Sequence, residues 1–449
     1  MSELRRALKL RTVVATSAGM AMATSCYVAG IQIATMVAGQ TAWIAILVAG
    51  IMCMFSALCF SELSGMYPSA AGLKLYIEKA FGERTAIIIG AFYVICAIAI
   101  VGPETHVLSR VIGKIFPNVP ALVWIFLFLG VIALINLRGI IVTGWVQDVL
   151  SYSMIAFMLI VGAYAISISG VEMSEFFHPG DAMSVINAAA VGVFLYVAFE
   201  WVTPLAEEVT DGMMIPKGML MAVGILSVTY VIFITGMTSL VDKGILAGNP
   251  IPHMVMGEKL FGQAGVYGFA FMSVMASLTS YNAGFMNFSR FMYAMGRDNV
   301  LPRVFSKLHP TYATPWFAIL FMFLISIIAS IYIYFTEEYM RLIMVTAAIE
   351  VIIYIAMAVA VIKLRHSKKD EIRPFKIPGG ILIPIITILF FLVLLLGIYS
   401  EDITVLFIML VILAFCVIYT LTVVPMLKAR YEARMAKRVP RRRRPGGSG

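Results

Sequence analysis

Apolar residues run in long unbroken stretches along this chain, separated by short polar segments. The runs do not alternate as barrel strands do, and each approaches the roughly 20 residues that carry a helix across a bilayer. Twelve spans are expected, at 13–37, 41–64, 85–109, 120–137, 145–170, 184–207, 217–240, 262–290, 313–334, 341–362, 378–399 and 402–427. The segment 68–84 (PSAAGLKLYIEKAFGER) is polar enough to lie on the membrane surface. The stretch 241–261 contains Gly248-Asn249-Pro250 and Pro252 and is long enough for a small outer helix pair, a lid. The first run follows a short basic stretch and no small-residue cleavage site follows it, so it reads as a retained span.

Charge sets the topology. The loops fall into two alternating sets, and one set, with both termini, holds 28 of the 33 lysines and arginines. That side is expected to be cytoplasmic, which makes 171–182 an external acidic loop. The net charge of +9 is thus mostly a topology signal. The run Arg441–Arg444 suits contact with anionic membrane lipid, and no nucleic acid partner is expected. The closing Gly-Gly-Ser-Gly reads as an appended linker.

Composition removes the other broad classes. Hydrophobic residues make up 61% and charged residues 13%, against about 45–50% and about 25% in soluble domains. A water-soluble, disordered or disulfide-rich secreted chain is excluded. The five cysteines (Cys26, Cys53, Cys59, Cys96, Cys416) all fall in apolar runs, without metal-type spacing or a disulfide framework.

Two spans carry breaks. The first holds Gly19, the stretch Ala23-Thr24-Ser25-Cys26 and Gly30; the sixth holds Tyr196-Val-Ala-Phe-Glu200-Trp-Val-Thr-Pro204. Each can open a five-span repeat, and interrupted helices at corresponding positions point to a transport site. A charge inside the bilayer is costly, so Glu104, Glu200 and Glu350 are functional candidates by position alone. No Lys or Arg is expected at their depth. They are either protonated, which suits proton coupling, or neutralised by a mobile cation, which suits recognition of an amine. Glu200, four residues before Pro204, is expected to meet a substrate ammonium. Glu104 can instead pair with His106 or Arg110, and Glu350 can serve a neighbouring span. Tyr27, Phe194, Tyr196, Phe199 and Trp201 flank the breaks and offer aromatic faces to a cation. Glu62, Glu207 and Glu208 at helix ends are expected to contact basic loops as an inner gate.

Four stretches carry a resemblance. SELSGMYPSAAGLKLYIEKAFGE (61–83), NLRGIIVTGWVQDVL (136–150), AFEWVTPLAEEVTDGMMIPKGML (198–220) and SRFMYAMGRDNVLPRVFSKLHPTYATP (289–315) resemble, in order, signatures of the amino acid–polyamine–organocation transporter superfamily. The resemblance implies an all-α polytopic membrane protein of twelve transmembrane helices with a leucine-transporter-type fold. Spans 1–5 (13–170) and 6–10 (184–362) are then inverted repeats. Two peripheral helices (378–427) follow, with a short cytoplasmic N-terminus (1–12) and a basic tail (428–449). It also implies transport of amino acids, polyamines or related amines by alternating access. Ala23, Thr24 and Ser25 match the family's Gly-Ser-Gly carboxylate cradle and crowd it with side chains. The resemblance places carbonyls near Ala21, Phe194 and Val197 around the substrate amine, and makes Phe194 or Tyr196 an occluding gate. Met154 matches a lysine that replaces a sodium ion in some relatives. Thr279 and Ser280 match hydroxyls that hold the ion in sodium-coupled ones.

An enzyme is not expected: the five histidines are scattered and no H-E-x-x-H occurs. A channel would need a filter repeat or charged ring, and none is visible. The reading is therefore a secondary active transporter of the cell membrane, a proton-coupled symporter or exchanger, with a cationic amine or amino acid favoured. Sodium is less expected than protons, no cofactor or metal is expected, and the chain is a monomer or homodimer. A neutral amino acid symporter and a transport-inactive sensor are the alternatives.

Overall fold

The computed structural model describes residues 4–23, 30, 33, 37, 41–171, 177, 182–242, 244–245, 249 and 251–438, with backbone alone for 182–183 and 434–438. The described chain is all-helical. Its helices are α1 (Leu10–Ala21), α2 (Ala42–Met66), α3 (Gly72–Phe81), α4 (Glu83–Ala99), α5 (Val101–Ile115), α6 (Ala121–Leu137), α7 (Ile140–Ser169) and α8 (Ala182–Gly192). After α8 come two 3₁₀ segments, Val193–Leu195 and Phe199–Glu207. The chain continues through α9 (Met214–Leu240), α10 (Pro252–Arg297), α11 (Trp316–Thr336), α12 (Tyr339–Ser367), α13 (Leu382–Glu401), α14 (Ile403–Ile418) and α15 (Val424–Arg438).

Local chemistry sets many of these boundaries. Pro120 and Pro315 stand just before α6 and α11, and Pro252 opens α10, where a missing N–H costs nothing. The Asp402 side chain accepts from the Thr404 N–H at 2.8 Å and caps α14. The surface segment expected at 68–84 is α3; of the outer helix pair expected at 241–261, the second part is the first arm of α10, bent at Gly262 (φ 59°), while several residues before it lie outside the described ones. The two arms pack so closely that a Cβ on Gly265 would lie 1.8 Å from the Gly257 carbonyl oxygen.

Among the described residues, ten segments are long and apolar enough to cross a membrane. α6 is equally apolar but has 17 residues. Most of the outer half of the first expected span lies outside the described residues. Phe335, Val411 and Leu396 are about 70% exposed, a pattern that water penalises and lipid tails do not. α13 and the segment that begins with α14 are the least buried of these spans and α12 is among the most buried, so the former sit at the periphery.

The centre of the bundle is α1. It packs against α7, α9, α10 and the 3₁₀ segment Phe199–Glu207. Gly19 permits this approach: a Cβ there would lie 2.3 Å from both Gln147 Nε2 and Ser151 Oγ. At the end expected to face the cytoplasm, the N-terminal strand residue Leu8 bridges to Val209, and both Ala7 and Leu8 donate N–H to the Glu208 carbonyl.

Candidate functional site

The sixth span is broken. α8 stops at Gly192, Tyr196 and Val197 N–H turn back to the Val193 carbonyl, and Ala198 sits in the left-handed region (φ 76°). An L-residue there is strained by about 1 kcal/mol, and such strain is held where the surroundings fix it. The chain then re-enters as a 3₁₀ helix that contains Pro204. α1 likewise ends at Ala21, next to the expected break of the first span. Thr24, Ser25 and Tyr27, expected in the site, lie outside the described residues.

Between these two ends lies a narrow cavity of about 40 Å³. Six of the expected residues line it: Ala21, Ala23, Glu104, Phe194, Val197 and Trp201. Ser280 lines it too and donates to the Met20 carbonyl at 3.0 Å. α10 and α11 contribute walls that the sequence reading missed, chiefly Tyr281, Phe285, Phe288, Met322 and Ser326. Ser326 is fully buried and its hydroxyl has no hydrogen-bond partner. A hydroxyl inside an otherwise apolar helix was the available signal for it.

Glu104 is the sole carboxylate among the described lining residues. It accepts from the Ser277 hydroxyl. The alternative pairings are taken elsewhere: Arg110 binds Glu337 at 2.8 Å, and His106 stacks on Tyr339 with ring centres 3.8 Å apart.

Four expected residues do not line the cavity. Tyr196 donates to the Ile46 carbonyl at 3.1 Å, and Phe199 packs edge-on against Phe60. Glu200, expected to meet the ammonium, is fully buried, and its Oε2 accepts from the Tyr354 hydroxyl at 2.9 Å. Glu350 Oε1 accepts from Trp201 Nε1–H at 2.8 Å and from the Cys96 thiol at 3.2 Å. Trp201 is therefore the side chain that both lines the cavity and holds Glu350. It is wedged against Tyr93 and Phe288 at 5.7 and 4.3 Å between ring centres.

Thr279 also lies off the cavity, in a neutral polar cluster. Its Oγ1 accepts from Gln147 Nε2–H at 2.7 Å and lies 2.9 Å from Ser151 Oγ. Ser151 donates to the Ala15 carbonyl at 2.7 Å, while Asn282 links Gln147 and Asn136 at 2.8 and 2.9 Å. Gln147 and Ser151 of α7 both reach the Ala15 carbonyl of α1, and Tyr152 reaches that of Arg11 at 2.9 Å; Met154 is buried one turn from Ser151.

At the end expected to face the cytoplasm the acidic residues meet basic partners. Glu62 binds Arg365 and Arg373, Glu207 binds Arg297, and Glu208 binds Arg290 at 2.8 Å with both side chains buried. Lys74 of α3 bridges to Asp298 at 2.7 Å and Glu78 at 2.8 Å. Burial pulls its ammonium down, but the two carboxylates outweigh that and hold it above its ordinary value.

Comparison with known proteins fits this architecture. The sequence profile of the amino acid permease family matches residues 8–427. The chain belongs to that family. It is a multi-pass membrane transport protein of the amino acid–polyamine–organocation superfamily. The permease is 26% identical over 341 residues to the methylthioribose transporter of Bacillus subtilis, covering 70% of this chain and 72% of the relative. It is 26% identical over 387 residues to the branched-chain amino acid permease BcaP of the same organism, covering 80% and 81%. It is 24% identical over 347 residues to cationic amino acid transporter 6, chloroplastic, of Arabidopsis thaliana, covering 70% and 58%.

Proposed function

We propose that this permease moves amino acids or related amines across the cell membrane by alternating access, with both termini cytoplasmic and twelve spans arranged as a five-plus-five inverted repeat and two peripheral helices. The observation that carries the substrate reading is Glu104: one carboxylate in a cavity walled by apolar and aromatic groups and two serine hydroxyls, between the end of α1 and the break after α8. An ammonium fits against Glu104 and the aromatic faces of Phe194 and Trp201. The apolar body of the solute then fills the space toward Phe285 and Met322. A cationic amine or amino acid is favoured, because an ammonium complements a carboxylate that lines a desolvated cavity. The inner ion pairs of Glu62, Glu207 and Glu208 serve as the gate that must open for release.

The relatives' names span different cargoes, so the family does not choose among them. A second reading, a neutral amino acid with an apolar side chain, is favoured by the apolar wall of Val197, Phe285 and Met322. Thermal-shift screening of purified protein with L-arginine, putrescine, tyramine and L-leucine, followed by proteoliposome uptake, separates the two. Glu104→Gln is expected to weaken binding of a stabilising cationic probe by about tenfold or more, or about 1.4 kcal/mol. Unchanged affinity in that variant overturns the role of Glu104. Stabilisation by L-leucine alone promotes the second reading.

A further inference from the structure

Glu200 and Glu350 arrive from different elements, the broken sixth span and α12, and both are fully buried. Each is held by the other's neighbour: Trp201, the residue after Glu200, donates to Glu350, and Tyr354, one turn beyond Glu350 on α12, donates to Glu200, so the two carboxyls share one buried cluster. The outward oxygens are held by Tyr354 on one side and by Trp201 and Cys96 on the other. The remaining oxygens, Glu200 Oε1 and Glu350 Oε2, meet no other donor. An ionised carboxylate only accepts hydrogen bonds. Two ionised carboxylates therefore cannot satisfy each other's free oxygens, whereas one proton held between them can.

The surroundings supply no other compensation. The titratable groups that face the pair are Cys53 from α2, Tyr93 and Cys96 from α4, and Tyr354 from α12, all neutral in their ordinary forms. The ion pairs among the described residues, such as those of Arg290 and Arg365, use other carboxylates. Two adjacent negative charges in this low-dielectric interior would repel without relief.

We propose that Glu200 and Glu350 share a single proton and form the proton-carrying site of this permease, with Trp201 coupling it to the cavity. The inference rests on the transport reading above and adds its driving ion. The coupling follows from one side chain with two contacts. The Trp201 indole lines the cavity while its N–H stabilises negative charge on Glu350. A solute that displaces the indole removes that donor, and the pair then holds its proton more tightly. When the solute leaves, the indole returns and the proton departs to the water on the open side. By linkage, solute and proton each favour the other's presence. Both therefore cross together, and the permease is a proton symporter. No bond other than O–H is made or broken.

Infrared spectroscopy of the purified protein at neutral pH reads the pair without any ligand. The wild-type spectrum is expected to contain a protonated-carboxyl C=O band that is moved by Glu200→Gln or Glu350→Gln and absent when both are changed. A band missing from the wild type, or unaltered in the double variant, overturns the shared proton. In proteoliposomes with L-arginine or L-leucine, an inward proton gradient is expected to drive wild-type accumulation. In Glu350→Gln, the ratio of gradient-driven uptake to counterflow should fall to its gradient-free value. Trp201→Phe keeps both carboxyls, so it should keep an infrared band yet lose the gradient effect. Gradient-driven accumulation that survives in Glu350→Gln overturns the proton-carrying role. A wild type that transports neither probe under any gradient sinks the transport reading instead, while the infrared result still judges the pair.

Discussion

Two polar clusters lie buried in this bundle, and they are built on opposite terms. The neutral one joins Gln147, Ser151, Thr279, Asn282 and Asn136 around the carbonyl side of α1. Its donors and acceptors interlock, with the Asn136 carbonyl oxygen the member left over. The acidic one joins Glu200 and Glu350 to Trp201, Tyr354 and Cys96, and one carboxyl oxygen on each glutamate has no hydrogen-bond partner among the described residues. A satisfied network fixes geometry; one that depends on a mobile proton can change state. The first cluster holds α1 against the α7 and α10 scaffold, and the second touches the cavity through one indole.

The largest effect should come from breaking the neutral cluster. Gln147→Ala strips partners from Thr279, Ser151 and Asn282 at once. Each buried polar group left unpaired costs about 1–3 kcal/mol, so a loss of about 3 kcal/mol or more and poor recovery of folded protein are expected. Size-exclusion profiles and thermal melts in detergent check this; a near-normal melt would mean that the cluster is not structural. Trp201→Phe should cost less, about 1–2 kcal/mol, because Cys96 still donates to Glu350. Its stability change should be smaller than that of Gln147→Ala while its transport change is larger. The reverse ranking would dissolve the distinction between scaffold and switch.

The smallest effect is expected at the latch of Lys74, whose side chain is buried but whose partners Glu78 and Asp298 stay about one-third exposed. Its raised value means that the folded state binds this proton more tightly than the unfolded chain does. The latch's contribution is therefore fully present below the ordinary value of 10.5 and is lost only as pH rises through the higher folded value. Lys74→Met should lower stability by about 1 kcal/mol or less, and by the same amount from pH 6 to pH 9. Melting temperatures of the two proteins across that range should run parallel. Convergence at pH 9 would show the ammonium titrating early and would contradict its two carboxylate partners.

Much of this was legible along the chain. Run length located most spans to within a few residues, although helix α10 extends to 252–297 where 262–290 was expected. Pro204 and the polar stretch around it marked the sixth-span break. The inner-end acids did meet basic partners. The cavity was legible in part: Ala21, Glu104, Phe194, Val197 and Trp201 were named from the sequence and do line it. What failed was partner choice. Glu200 was assigned to the substrate, yet its carboxyl meets Glu350 and Tyr354 from α12, about 150 residues further along the chain. Met154, which stands where some relatives carry a lysine, was expected to leave that charged device absent; the polar α7 contacts to α1 by Gln147 and Ser151 were not foreseen.

The sequence by itself determined that the chain lives in a bilayer, roughly where most apolar helices run, that the helix ahead of Pro204 breaks, and which acids fall within apolar runs. These are one-dimensional properties, because transfer of apolar runs and the penalty on charge act residue by residue. Only the tertiary structure decided which acid faces the cavity and which acids face each other. A helix turns about 100° per residue, so a small change in rotation or packing moves a carboxyl from solute to neighbour. That rotation is set by contacts between distant segments, such as Trp201 with Glu350 and Gly19 with Gln147, which no local pattern encodes.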